Sequence, residues 1–509
     1  MRLETGVITL SALLLTASLT GCFAGGGQAA DSGGRIKLAM LQPPRSGLSP
    51  LSDDAFKLSR WKTAETLVQL DALGEAQPAL ATEWQQVDRT SWRFVLRDRV
   101  EFHDGTAMTP VEAAASLTAA AQASPKPRIL DGVELTARAE GPSTVIITTA
   151  APDPLLPQRL SSPQLAILAA SAYKEGGVVS PVNAGTGPYR LVSVEGTSSA
   201  RLDRFDAYWG KKAEAGGVDV QFVPDGTARA AALRTGGADV VEAIPVGQVP
   251  QIDPGLVHEV PMPRTNTLYL NTASGPFRDP SVRAAARAAI DPGTIVDRVY
   301  EGRADEAAGL LGPALPWAAG QRDTEEYAAV LATRAAATAV KGTTIRLGTF
   351  TDRAELPEVA VQLEQQLEAA GFTVEQDVRE YQHIEADALA GKFDAFILSR
   401  ATVLDSGDPV AYLYSDFSCT GSFNISQFCD PTVDAALATA AGSPAGPERR
   451  AAVAAAESLI LARDAAIPLL HERVIQGESA RVAGVERDPR ERALITSRTA
   501  VTASTGGTR

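Results

Sequence analysis

The hydrophobic and polar positions of this 509-residue chain alternate between two periods. From Trp92 the run Trp-Arg-Phe-Val-Leu-Arg puts Trp92, Phe94 and Leu96 on one face, which predicts a half-buried strand. A turn at His103-Asp104-Gly105-Thr106 follows. Thr109-Pro110-Val111-Glu112 then carries a capping residue at each end and proline at the first helical position, predicting a helix from Pro110 to about Ala121. Asp-Pro pairs at Asp279, Asp291, Asp408 and Asp430 use one device, an acid that caps and a proline that fixes the first turn. After Asp279 the residues Val282, Ala285, Ala286, Ala289 and Ile290 share one helical face.

The second half of the chain turns to strand–helix–strand. Ile345–Phe350 reads as a strand, and Leu356–Ala370 as a helix with Leu356, Ala360, Leu363 and Leu367 inward, stopped by Gly371. Phe372–Val378 and Phe393–Leu398 supply further strands. That rhythm predicts a wound α/β fold. A chain of this length exceeds what one core usually supports, so at least two lobes are expected.

The N-terminus changes the picture of where the chain works. The apolar stretch Val7–Leu19 falls short of the roughly 20 residues that span a bilayer and reads as a secretion signal. It closes on Leu19-Thr20-Gly21-Cys22, which resembles the lipobox of bacterial lipoproteins and makes Cys22 the expected lipidation site. Residues 1–21 are then a signal peptide. Residues 22–34, rich in Gly, Ala and Ser, bury too little apolar surface to offset ordering and form a flexible tether to the outer face of the membrane. The net charge of −14, with no visible cluster of Lys and Arg, argues against nucleic acid as a partner. In an exported chain Cys419 and Cys429, ten positions apart across a Gly/Ser/Asn loop, predict a disulfide that stabilises by about 3 kcal/mol.

The usual carriers of catalysis are missing. No phosphate-binding Gly-rich loop, His-Glu-x-x-His or Gly-x-Ser-x-Gly occurs, and the four histidines, His103, His258, His383 and His471, lie at no metal-ligand spacing. His103 beside Asp104 reads as a turn before a helix rather than a catalytic pair. No catalytic residue, metal site or cofactor is expected, and a binding protein is favoured over an enzyme.

Val100-Glu-Phe-His-Asp-Gly-Thr-Ala-Met-Thr109 closely resembles the signature of the family 5 extracellular solute-binding proteins, the peptide and nickel type. The resemblance continues in Leu67-Val-Gln-Leu-Asp71, Pro78-Ala-Leu-Ala-Thr-Glu-Trp84, Gly185-Thr-Gly-Pro-Tyr-Arg-Leu-Val192 and Arg204-Phe-Asp-Ala-Tyr-Trp-Gly210. It runs on in Leu233-Arg-Thr-Gly-Gly-Ala-Asp239, Leu268-Tyr-Leu-Asn-Thr272, Pro276-Phe-Arg-Asp-Pro-Ser-Val-Arg283 and Ala288-Ala-Ile-Asp291. It implies a two-lobed α/β protein of the periplasmic-binding type (type II, cluster C) that closes on its ligand. Lobe I would comprise residues 35–70, 185–262 and 473–509, with an extra subdomain inserted at 71–184, and lobe II residues 263–472. Most of these blocks read as scaffold, Tyr208-Trp209 as buried aromatic packing among them.

The resemblance implies the substrate-binding subunit of an ABC importer, a monomer that captures a short peptide and delivers it to a permease and its ATPase. In peptide-binding relatives an aspartate three positions before an acidic-Pro pair holds the ligand's α-ammonium, and here that position is Asp405, while Asp408 caps the next helix. Arg353 resembles the arginine that dipeptide-binding relatives turn to the ligand's carboxylate, with Arg400 as its rival. Those relatives usually carry a tryptophan shortly before the aspartate, where this chain has Ala401-Thr402-Val403. That departure keeps a nickel chelate, haem or an oligosaccharide open as ligand, and a sensor open as the role.

Overall fold

The structure is a computed structural model that describes residues 34–403 and 406–502. Cys22, the signal peptide and Asp405 lie outside the described residues.

The framework is one mixed sheet of eleven strands. From one edge it runs Phe372–Arg379, Thr343–Phe350, Ala395–Ala401, Val257–Leu270, Ala466–Glu478, Val240–Val241, Arg35–Met40, Gly217–Phe222, Ser199–Arg204 and Tyr189–Glu195, with Ala304–Glu306 against Ala466–Glu478 off that path. The first three strands are mutually parallel, linked by helices Leu356–Ala369 and Tyr381–Leu389 as parallel pairing requires. Leu356, Ala360, Leu363 and Leu367 all face inward, and Gly371 ends that helix at φ +101°, where a Cβ would meet the Val340 carbonyl at 2.3 Å.

Two large cores flank the middle of this sheet. One gathers apolar residues between Leu268 and Leu470, and the other joins Ile36, Leu38, Val218 and Val220 to Phe94, Leu117 and Val145. Phe94 and Val145 belong to a separate four-stranded antiparallel sheet, Ala81–Gln86, Ser91–Leu96, Thr144–Thr149 and Leu135–Glu140, and Leu117 to the helix Pro110–Gln122 that backs it. That helix begins with the expected capping box between Thr109 and Glu112.

Asp279, Asp291 and Asp430 each accept a hydrogen bond from the backbone N–H two residues on, capping helices Pro280–Ala289, Pro292–Val299 and Pro431–Gly442. Asp408 differs in part. It accepts from the Val410 N–H at 2.9 Å, but helix Val410–Phe417 takes Pro409 as its cap, and the carboxylate is also held by Arg449 through Nε at 2.6 Å and Nη2 at 3.0 Å. Cys419 and Cys429 are joined in a disulfide.

Val257–Leu270 and Ala466–Glu478 are long antiparallel neighbours that run from the first core to a third, smaller cluster holding Ile475, Val241 and Leu233. Their ladder breaks between Pro261, opposite Arg473, and Thr265, opposite His471. Met262, Pro263 and Arg264 therefore stand against Glu472 alone. Pro261 and Pro263 have no N–H to give the ladder, which is why the break falls there.

Candidate functional site

Parallel strands of an open sheet deliver their following loops to one edge, where ligands of such folds bind. Arg353 follows Thr343–Phe350 at that edge, and Arg400 lies at the end of Ala395–Ala401. Arg264 reaches the same edge from the opposite direction, because Val257–Leu270 is antiparallel and pairs Arg264 with Ala401 and Thr265 with Arg400. Thr402 clamps the bulge by donating its backbone N–H to the Pro263 carbonyl at 2.8 Å.

The three arginines are differently engaged. Arg353 Nη1 donates to Glu472 Oε2 at 2.7 Å. Burial opposes its charge, but Glu472 and Glu491 outweigh that and hold its pKa above the ordinary value. Arg400 gives Nε and Nη2 to the fully buried Asp416 at 2.8–3.2 Å, with Nη2 also 3.2 Å from Ser415 Oγ, and stacks over Phe423 at 4.4 Å. Asp416 also accepts from Tyr269 at 3.0 Å, so much of Arg400 is spent on the core beneath the site. Arg264 has its Nε buried without a hydrogen-bond partner among the described residues, and Glu491 Oε2 lies 3.9 Å away. Burial, with Arg353 and Arg400 adding repulsion, pushes its pKa below the ordinary value.

Opposite these arginines the C-terminal segment supplies Glu491, held at φ +56°, a backbone conformation a non-glycine residue seldom adopts. Arg490 donates to the Asp71 carbonyl, and Glu75 pairs with Arg450. The Asp71–Gly74 turn meets the loop after Ala401, with a Cβ on Gly407 falling 2.4 Å from Leu70 and one on Gly74 3.2 Å from the Gly407 carbonyl. A small cavity of about 30 Å³ lies beside this contact, lined by Leu155, Trp317 and Arg450 and by none of the three arginines. Shape and charge thus single out different places, and the charged seam is the one that can orient a polar solute.

The histidines and the matched blocks take other roles. His103 sends Nε2 to the Gly187 carbonyl at 2.8 Å, while Asp104 accepts from Thr106 and Ser171 and turns away from the imidazole. Tyr208 and Trp209 are half-buried rather than buried packing. Their OH and Nε1 donate at 2.8 and 3.0 Å to Glu65, which Thr186 also reaches at 2.9 Å. Gly185 and Gly187 sit so close to the Thr63 and Lys62 carbonyls, about 2 Å from where a Cβ would be, that only glycine fits. Three of the sequence blocks that define the resemblance therefore meet at one structural knot.

Arg264, Glu472 and Glu491 were not singled out from the sequence. The available signal was Pro261-Met-Pro-Arg264, two prolines interrupting an apolar run, which marks a break in a strand.

Residues 75–424 match the model of the bacterial extracellular solute-binding proteins, family 5, and the chain belongs to that family of ABC substrate-binding proteins. It is 25% identical over 444 residues to the nickel-binding protein NikA of Staphylococcus aureus, covering 85% of this chain and 86% of that one. It is also 25% identical over 465 residues to a probable di/tripeptide-binding protein of Pseudomonas aeruginosa, covering 83% and 87%. The solved structure of NikA from Brucella suis in complex with Fe(III)-EDTA superposes with a TM-score of 0.78 at 23% identity, over 92% of this chain and all of that one. Among the described residues no helix is long and apolar enough to cross a membrane.

Proposed function

We propose that the protein captures short peptides outside the cytoplasmic membrane, tethered by a lipid on Cys22, and hands them as a monomer to an ABC permease and its ATPase. The observation that carries this reading is the Arg353–Glu472 pair at the seam, where a guanidinium leaves the carboxyl end of a strand and meets the strand that runs out of the first core beside it. A ligand carboxylate there joins Arg353 while the ammonium goes to Asp405, and a ligand touching both halves favours the closed arrangement. Residues 71–184 act as a subdomain inserted in lobe I, and the long paired strands serve as the hinge. Arg400 is a supporting cation through Asp416.

The convergence of three arginines favours a second reading, a metal chelate rich in carboxylates, consistent with the nickel-binding relatives. Native mass spectrometry of the protein purified from cells distinguishes the two by the mass of the retained solute. Calorimetry then compares Arg353→Ala and Asp405→Ala with the wild type. Peptide affinity is expected to fall roughly 10- to 100-fold in each, the cost of losing a charge-assisted contact. Equal affinity in Asp405→Ala would remove that residue as the ammonium anchor.

A further inference from the structure

We propose that Arg264 is the specificity-determining cation of the seam and shares with Arg353 the carboxylate of a zwitterionic solute. This deepens the reading above and rests on it.

Two of the three guanidinium groups at the edge are tied to protein acids within hydrogen-bond distance, Arg353 to Glu472 and Arg400 to Asp416. Arg264 is not. The distance of 3.9 Å to Glu491 exceeds hydrogen-bond reach, and the buried Nε has no acceptor among the described residues. A guanidinium carries five donors in a planar fork, and keeping it half-buried without acceptors is costly. Such a cost persists where an external acceptor recovers it.

The backbone is arranged for this side chain. Two prolines and a three-against-one bulge interrupt the central ladder, and Thr402 pins the bulge from the neighbouring strand. The result is a side chain projecting where Val257–Leu270 leaves the first core. Glu472, opposite the bulge, keeps Oε1 buried without a partner among the described residues, so the seam holds an unspent acceptor as well as the unspent donor. The charges around Arg264 are those of Arg353 and Arg400 and of Glu472 and Glu491. A solute carboxylate supplies the acceptor that the Arg264 Nε lacks, and a solute ammonium offsets the charge that carboxylate brings.

The test is competition in native mass spectrometry with an equimolar mixture of Ala-Ala, Ala-Leu and Ala-Ala-Ala, each with a free or an amidated C-terminus. It is run on the wild type, Arg264→Gln and Arg264→Lys, alongside thermal unfolding without peptide. The wild type is expected to prefer the free acids at least about tenfold, the worth of a bidentate charged contact. Arg264→Gln should abolish the preference and Arg264→Lys restore part of it. Arg264→Gln without peptide should unfold no earlier than the wild type, because repulsion from Arg353 and Arg400 is relieved. An unchanged acid preference in Arg264→Gln, or loss of binding together with a melting point lower by several degrees, would make Arg264 a structural ion and overturn the proposal alone. If the wild type retains no peptide of either form, the peptide reading itself fails and this assignment with it.

Discussion

Burial decides the chemistry of two histidines. His103 and His471 are pushed down to about 4, chiefly by burial, and so are neutral in the folded protein at pH 7. In the unfolded chain each titrates near 6.5. Between these values the unfolded state binds more protons, so stability is full above about pH 6.5 and declines as pH falls toward 4. The loss is on the order of 3 kcal/mol per histidine. Urea unfolding of the wild type at pH 7.0 and 4.5 should show it, and a His103→Gln, His471→Gln double variant should show a markedly smaller difference between the two pH values. Glu65 illustrates what no local pattern reveals. Its three donors come from Thr186, Tyr208 and Trp209, more than 100 positions away, so a reading of neighbouring residues sees only aromatic bulk.

At the level of elements, the helix starts are governed by short-range physics. Asp279→Ala, Asp291→Ala and Asp430→Ala should each lower stability by about 1 kcal/mol in chemical denaturation. Asp430→Ala should cost most, since that carboxylate also accepts from Arg463 Nε at 2.8 Å. These caps, the strands at Ser91–Leu96 and Thr343–Phe350 and the helix stop at Gly371 were legible because each signal lies within a few residues of the feature it sets. The third parallel strand was legible with shifted borders, Ala395–Ala401 against the expected Phe393–Leu398. The long crossing strand Val257–Leu270 was not legible. Pro261 and Pro263 argue against a strand locally, and only pairing on both sides, with Ala395–Ala401 and Ala466–Glu478, makes it one. Arg353 was a candidate only through the resemblance to dipeptide-binding relatives, whereas Arg264 depends on that bulge and had no local signal beyond the two prolines.

At the scale of the whole molecule, the contact of Glu75 with Arg450 and of Gly74 with Gly407 ties the four-stranded-sheet side of one core to the helices of the other. Both charged side chains keep some exposure to water, so the pair is a modest, salt-sensitive latch. Arg450→Ala should weaken ligand affinity roughly two- to fivefold, mainly through faster release, with the effect shrinking at high salt. Surface plasmon resonance at 50 mM and 500 mM salt reads both quantities, and an unaltered release rate would assign closure to the hinge strands alone.

The larger surplus of residues on Val257–Leu270, three against one where its partner has the single extra residue Leu469, has a mechanical corollary. Ala466–Glu478 is the tauter of the two, while its partner holds more slack at Met262-Pro263-Arg264 that a turn of either half tightens or loosens. A side chain mounted on that slack moves whenever the halves rotate. In this chain it is a positive one, so swivel and charge are coupled through a single pleat.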